Sequence, residues 1–308
     1  MRVPLPAAMI TMSSAMQRPC LKSAIIGVVL LLTTLLSGCG ALRLVYGQAP
    51  ELVYWWLDGY VDFDSAQSEK VRDDLARYAE WHRATQLPDY AQLLVRAQAQ
   101  VLSPDPVTPA GVCRFYQDAF ARSAPLIERG LPAATEAVMQ FTPDNLKHLQ
   151  RKYDKVNAKF RDEYLQPDPE DRLEAAVDRV VDRTESLYGR IDAAQKERIT
   201  KLVAASPFNP DVWFAERQQR QRDTLATLRS LLAAKAPPDQ VQAGLRTLVA
   251  RLQQSPREAY REYDERLKAY NCMVGAEVHN AMTREQRQEA AKRLKGWADD
   301  FRAMSSAR

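Results

Sequence analysis

Apolar residues recur at helical spacing along most of this 308-residue chain. The stripe Leu146, Leu149, Tyr153, Val156 and Phe160 is one example, because its members lie three or four positions apart. That period places side chains on one face of an α-helix, whereas a half-buried strand would alternate apolar and polar residues. No sustained alternation interrupts these stripes, so the pattern predicts an all-α fold.

Prolines mark the ends of the predicted helices. The chain has 18 prolines and only 11 glycines, and the prolines concentrate between apolar stripes, as in SPDPVTP and QPDPE. Proline lacks the amide proton that a helix interior needs, so these segments predict helix boundaries. The pattern predicts an elongated multi-helix bundle of about ten helices built from helical hairpins. The predicted ranges, some of which are expected to merge, are 50–60, 65–84, 88–102, 108–129, 131–140, 143–165, 169–189, 193–204, 210–235, 238–253, 257–281 and 284–304.

Residues 49–304 are predicted to form a single all-helical domain, followed by a short tail at 305–308. Two packed halves that divide near 166–170 are the alternative, because the domain exceeds the commonest domain size. No run inside the domain is long and polar enough to suggest a disordered linker.

The first 40 residues predict export from the cytoplasm. Arg18 and Lys22 precede an uninterrupted apolar stretch at 24–36. A stretch of that length suits the core of a signal peptide and is shorter than the roughly 20 residues that a membrane span requires. An uncleaved N-terminal membrane anchor is the alternative.

The segment LSGC, which ends at Cys39, resembles the bacterial lipobox. The resemblance implies a signal peptide at 1–38, a diacylated Cys39 as the mature N-terminus and a lipidated tether at 39–48. Gly40 stands where an aspartate would favour retention at the inner membrane. By resemblance to lipoprotein sorting rules, the protein is expected on the periplasmic face of the outer membrane, held there by its lipid.

Charge and histidine content argue against nucleic-acid and metal binding. The whole chain has 43 basic and 39 acidic residues, and the predicted signal peptide holds three of the basic residues and no acidic residue. The mature chain is therefore nearly neutral, which gives no electrostatic reason to expect nucleic-acid binding. Only His82, His148 and His279 are present, and none is spaced for joint ligation. No cofactor is predicted.

Two cysteines remain once the predicted signal peptide and lipidation site are set aside. Cys20 lies in the leader and Cys39 carries the predicted lipid, which leaves Cys113 and Cys272. An isolated pair in an oxidising periplasm predicts a disulfide. Two buried free thiols are the alternative.

One short phrase occurs four times, as FDSAQ, FTPDN, IDAAQ and MTREQ. Each copy has an apolar residue, then Asp or Thr, then Gln or Asn three positions later. That arrangement predicts a capping box, in which the first side chain accepts from the opening turn and the amide reaches back to the cap. The four predicted pairs are Asp64 with Gln67, Thr142 with Asn145, Asp192 with Gln195, and Thr283 with Gln286.

The phrase is also similar to the LTxxQ motif of Spy- and CpxP-type periplasmic proteins, which are small α-helical stress chaperones. MTREQRQEA is the closest copy, whereas Asn145 replaces the glutamine in the second copy and the copies are unevenly spaced. The resemblance therefore implies a related helical construction more than a shared activity.

Three longer blocks resemble a family of uncharacterised Gram-negative lipoproteins, a domain of unknown function. The blocks are LVYGQAPELVYWWLDGYVDFDSAQ, WHRATQLPDYAQLL and MTREQRQEAAKRLKGWADDFRAM. The resemblance covers nearly all of the mature chain and implies compartment and fold, but no reaction.

An aromatic cluster and one histidine are the remaining candidates for a site. Tyr54, Trp55, Trp56 and Tyr60 follow the predicted anchor closely. They are expected either in the core or, as the functional alternative, at the membrane interface or against a bound client. His82 lies on an apolar stripe with no predicted nucleophile nearby, so we expect a satisfied buried histidine and not a general base.

Together these features predict a non-enzymatic lipoprotein that binds protein clients or envelope components in a chaperone-like or stress-related role. A structural or assembly lipoprotein with one fixed envelope partner is the first alternative. A hydrolase with an unrecognised site, around His82 for example, is the second.

Overall fold

The computed structural model describes residues 41–306, and each regular element in that range is an α-helix. The all-α prediction is thus confirmed for these residues, with thirteen helices where about ten were expected. In chain order the helices are α1 (Ala41–Gly47), α2 (Ala49–Val61), α3 (Ser65–Thr85), α4 (Leu87–Leu102), α5 (Pro109–Ala121), α6 (Ser123–Met139), α7 (Pro143–Tyr164), α8 (Pro169–Tyr188), α9 (Ala193–Ala204), α10 (Pro210–Ala233), α11 (Pro238–Gln253), α12 (Glu258–Asn280) and α13 (Arg284–Ser306).

The helices from α4 onward pair in a nested order. α8 packs on α9, α7 on α10, α6 on α11, α5 on α12 and α4 on α13, the last pair being the most extensive. The chain thus runs out through five helices, turns at 189–192 and returns along its own path. Neighbouring helices such as α2 and α3 also pack as hairpins, as predicted, but the nested pairs join segments far apart in the sequence.

Two apolar clusters form the core. The first joins α4, α8, α9, α12 and α13, with the fully buried Ile199 and Ala290 near its centre. The second joins α6, α7, α10 and α11 and includes Leu225 and Val241. Both clusters combine helices from either side of 166–170, so packing within each cluster continues across that loop.

The ends of the described range differ from the predictions. Residues 41–47, predicted as part of a tether, form α1, and the Arg43 side chain binds the buried carboxylate of Asp300 on α13 at 2.7 Å. Residues 305–306, predicted as a tail, belong to the last turns of α13. The predicted signal peptide and Cys39 lie outside the described residues. Within residues 41–306, none of the helices has the length and apolar content needed to cross a membrane.

The predicted disulfide is present. Cys113 on α5 and Cys272 on α12 are bonded, with their Cα atoms 5.4 Å apart across a sequence separation of 159 residues. α5 contributes no buried residue to the core. The covalent bond to α12 is therefore a main constraint that holds this largely exposed helix in place.

All four capping boxes form. Each Asp or Thr accepts from the backbone amide three residues later, and each Gln or Asn side-chain oxygen accepts from the backbone amide of the cap. These contacts satisfy amide groups that a helix start would otherwise leave unpaired. The repeated phrase begins α3, α7, α9 and α13, as the sequence predicts.

The four boxes also interlock in two pairs, which was not predicted. The Gln67 amide donates to the carbonyl of Gln140, and the Asn145 amide donates to the carbonyls of Val61 and Asp62. Each amide thus bonds a carbonyl that lies two positions before the opposite cap: Gln140 precedes Thr142, and Asp62 precedes Asp64. The first interlocked pair thereby ties the start of α3 to the start of α7.

The second interlocked pair repeats this arrangement at α9 and α13. The Gln195 amide donates to the carbonyl of Ala281 at 2.9 Å, and the Gln286 amide donates to the carbonyl of Arg190 at 2.9 Å. Ala281 and Arg190 again lie two positions before the opposite caps. The same short sequence motif therefore both caps a helix and forms hydrogen bonds to a distant segment of the chain.

Candidate functional site

A large apolar cavity lies between α2, α3 and α6 on one side and α7, α10 and α11 on the other. Its volume is about 1180 Å³, and it is open to the surface. That volume exceeds the range of roughly 300–1,000 Å³ that is usual for small-molecule pockets. We call this feature the central cavity. Its apolar lining includes Leu57, Val71, Leu75, Leu126, Ile127, Leu131, Leu149, Val156, Leu248 and Leu252.

The facing surfaces of α6 and α11 explain why space remains there. The small residues Gly130, Ala133, Ala134 and Ala137 follow one another at helical spacing on α6 and line the cavity. On α11 the lining residues at 245, 248, 249 and 252 have the same period but larger aliphatic side chains. Small side chains on one wall leave a void that the opposite wall does not fill, and the result is a groove with an apolar surface.

The predicted aromatic residues divide between core and surface. Tyr54 is buried, with 5% of its surface exposed, whereas Trp55 and Trp56 are 60% and 61% exposed. The core interpretation is therefore right for Tyr54 and wrong for both tryptophans. Trp56 and Tyr60 line the central cavity and contact each other with ring centroids 4.9 Å apart. Trp55 does not line the cavity.

The first interlocked pair of capping boxes borders this cavity. Val61, whose carbonyl accepts from Asn145, is a lining residue, as are Phe63 and Phe141, which precede the two caps. The apolar residue of the repeated phrase thus contributes to the cavity surface in both copies. The second interlocked pair lies instead beside the first core cluster, where Ile191 and Met282 occupy the corresponding positions.

A set of paired charges lies on the α3 and α6 side of the cavity. Lys70 contacts Asp74 at 3.1 Å and Glu136 at 2.5 Å, and Arg77 also pairs with Asp74. The hydrogen bonds that Lys70 donates to Glu136 and Asp74 raise the pKa of Lys70. These groups are partly exposed, so their pairing positions the side chains more than it stabilises the fold.

A buried carboxylate anchors the α10 side of the cavity. Glu216 is 5% exposed and accepts two hydrogen bonds from Arg257, at 2.6 and 2.7 Å, and one from Arg220 at 2.8 Å. Burial alone would raise the pKa of Glu216, but hydrogen bonds from Arg257, Ser255 and Arg220 outweigh it, and the net shift is downward. The network keeps Glu216 ionised and joins α10 to the start of α12.

His82 lies outside the cavity in an aromatic setting. Its Nδ1 atom is 2.8 Å from the Tyr46 hydroxyl, and the rings of Tyr78 and Tyr90 pack nearby. Burial lowers the pKa of His82. Asp89, the next acid after His82 in the sequence, pairs with Arg122 at 2.6 Å. The half-buried His82 thus has a hydrogen-bond partner in the Tyr46 hydroxyl, and within residues 41–306 no serine, threonine or cysteine is bonded to it.

The sequence patterns did not predict most of the residues that line the central cavity. The residues that they missed include the small-residue face of α6, the leucines of α11 and the Glu216–Arg257 pair. The spacing of Gly130, Ala133, Ala134 and Ala137 is visible in the sequence and was the one available signal. Among residues 41–306, no group of three or more His, Cys, Asp or Glu side chains is placed to hold a metal ion.

Residues 59–261 match a described protein family. The chain belongs to the family of unknown function DUF6279. The match extends from the end of α2 to the start of α12, and so it includes nearly all of the lining of the central cavity. No curated protein and no solved structure matches the chain significantly.

Proposed function

We propose that this DUF6279 chain is a lipoprotein of the periplasmic face of the outer membrane that binds apolar segments of protein clients or envelope components without catalysis. The proposed role is chaperone-like: the central cavity holds apolar groups that would otherwise contact water. The lipobox-like LSGC segment supports the location, and the similarity of the repeated phrase to LTxxQ supports the kinship with periplasmic chaperones.

The observation that carries this proposal is the central cavity itself. Concave, mainly apolar cavities with a few polar groups are the usual form of binding sites in proteins. Here the cavity is open, lined mainly by aliphatic and aromatic side chains, and bordered by charged groups such as Lys70 and Glu136. A concave apolar surface with a polar rim suits transient binding of an exposed apolar segment.

Client binding can be tested with two tryptophan substitutions on α6. Both Ala134 and Ala124 are exposed on this helix, but Ala134 lines the cavity and Ala124 is not part of the lining. The mature chain is expected to slow the aggregation of a client protein diluted from denaturant, measured by light scattering. Ala134→Trp should abolish this effect by filling the cavity, and Ala124→Trp should retain it. Failure of the unmodified chain to slow aggregation would refute the proposal.

The anchor is tested separately at Cys39. Cells that express the full chain are labelled with an alkyne analogue of palmitate, and the N-terminal peptide is mapped by mass spectrometry. We expect a lipid-modified Cys39 at the new N-terminus and an outer-membrane location, both lost in Cys39→Ser. An unmodified Cys39, or recovery of the chain from the cytosol, would contradict the predicted location.

A fixed envelope partner is a second candidate function, favoured by the outer face of α5. Phe115, Tyr116 and Phe120 are exposed there, and the rings of Tyr116 and Phe120 stack. Crosslinking in cells would distinguish the two functions. A single stoichiometric partner attached to the α5 peptide would favour the assembly role, and many partners attached to cavity peptides would favour the chaperone-like role.

A further inference from the structure

The opening of the central cavity coincides with an exposed apolar surface on α2. Val53 and Trp56 both line the cavity and remain 41% and 61% exposed, so they lie where the cavity meets solvent. Leu52 and Trp55 extend this apolar surface on the same helix. An occupant can therefore pass between the outer surface of α2 and the cavity without leaving apolar contacts.

The same apolar surface continues onto α1, the helix nearest the predicted anchor. Leu44 and Val45 are 65% and 56% exposed, and the Arg43–Asp300 ion pair holds α1 against α13. α1 begins two residues after Cys39. If Cys39 is acylated, as proposed above, this surface lies next to the bilayer, where exposed tryptophans and aliphatic residues are favoured.

The charges of the cavity favour an anionic occupant. Five cationic side chains line it against three carboxylates, and each of the three carboxylates already pairs with a lining cation. Among residues 41–306, Arg129 and Arg217 form no ion pair and instead lie near the rings of Trp81 and Trp213. A guanidinium group donates well to phosphate oxygens, in a bidentate geometry that lysine cannot reproduce.

We infer that the central cavity binds the acyl chains of an anionic phospholipid drawn from the adjacent bilayer, with Arg129 or Arg217 contacting the phosphate. This inference rests on the proposed function and specifies its ligand class. The apolar lining, the opening beside the membrane-facing surface and the excess of positive charge all suit a long amphiphile with one anionic group. A volume above the usual small-molecule range suits flexible hydrocarbon chains.

The test uses the full lipidated chain reconstituted into vesicles. The vesicles contain phosphatidylglycerol with a photoactivatable group on one acyl chain, and crosslinked peptides are mapped by mass spectrometry after irradiation. We expect crosslinks in the lining segments of α6 and α11 in addition to the exposed surface of α1 and α2. Crosslinks confined to α1 and α2 would overturn the inference, because they would show contact with the bilayer without uptake.

Two sets of variants sharpen this result. Ala134→Trp should reduce crosslinking in α6 and α11 by about tenfold or more, whereas Ala124→Trp should leave it unchanged. The double substitution Arg129→Gln with Arg217→Gln should reduce the preference for phosphatidylglycerol over phosphatidylcholine. Equal crosslinking of the two lipids by the unmodified chain would refute the anionic preference independently of any variant.

The aggregation assay separates failure of this inference from failure of the proposed function. If crosslinks avoid the cavity while Ala134→Trp still abolishes client protection, the occupant is an apolar protein segment and the lipid inference is wrong. If neither lipid nor client depends on the cavity, both proposals are wrong. Lipid crosslinks within α6 and α11 that are lost in Ala134→Trp would support the inference regardless of the result of the aggregation assay.

Discussion

Replacing Asn145 by alanine should cost far more than the loss of an ordinary helix cap. The side chain is buried and accepts from the Thr142 amide at 2.7 Å. It also donates to the carbonyls of Val61 and Asp62 at 3.0 and 2.9 Å. A typical hydrogen bond contributes about 0.5–1.5 kcal/mol net, so three of them amount to about 3 kcal/mol. A cap alone would account for about 1 kcal/mol.

Urea denaturation followed by far-UV circular dichroism measures this difference. Gln150 on the same helix provides the matched control, because its amide contacts only the exposed carboxylate of Asp154. Gln150→Ala should change the free energy of unfolding by less than about 0.5 kcal/mol. If Asn145→Ala lowered the free energy of unfolding by only about 1 kcal/mol, the loss would be that of a helix cap alone. The hydrogen bonds to Val61 and Asp62 would then contribute nothing measurable to stability.

Three further perturbations have defined outcomes. Reducing the Cys113–Cys272 disulfide should lower stability by about 5 kcal/mol in the chain-entropy model, and the urea midpoint of Cys113→Ser with Cys272→Ser should match that of the reduced protein. Burial lowers the pKa of His279, so on acidification this histidine takes up a proton in the unfolded chain before it does so in the folded protein. The free energy of unfolding should therefore fall as pH decreases below about 6.5. His279→Gln should flatten that pH dependence. Arg257→Ala should cost about 3 kcal/mol because it leaves the buried Glu216 carboxylate with too few partners, whereas an unchanged urea midpoint would show that Arg220 suffices.

Local patterns in the sequence predicted the helices and their starts. Asp64 and Thr283 are recognisable caps because the interactions that define them lie within four residues. The loops at 103–108 and 254–257 were predicted from the prolines that they contain, because proline is also a local signal of a helix boundary. The break expected near 130 was wrong: Pro132 lies inside α6, and the chain breaks instead at Arg122. Packing of α6 against α11 and α3 outweighs the helix-breaking tendency of one proline.

The pairing of helices could not be predicted in the same way. Apolar stripes show which face of a helix is buried but not which helix covers it, so hairpins of neighbours were the natural expectation. The central cavity shares this difficulty, because a void depends on the sizes of residues that face one another across the fold, such as Ala134 and Leu248. For Trp55 and Trp56 the sequence left a core position and an exposed binding position both open, because helical spacing alone does not distinguish a covered face from an open one.

Nested pairing of helices also constrains the order in which the chain folds. α8 and α9 are close in the sequence and close the shortest loop, and once they are paired every outer pair has a shorter effective loop to close. α4 has its most extensive contacts with α13, so the first core cluster stays incomplete until the residues of α13 have been synthesised. Until then the apolar faces of α4 and α8 are exposed, so folding of this chain depends on rapid completion of its C-terminal helix α13.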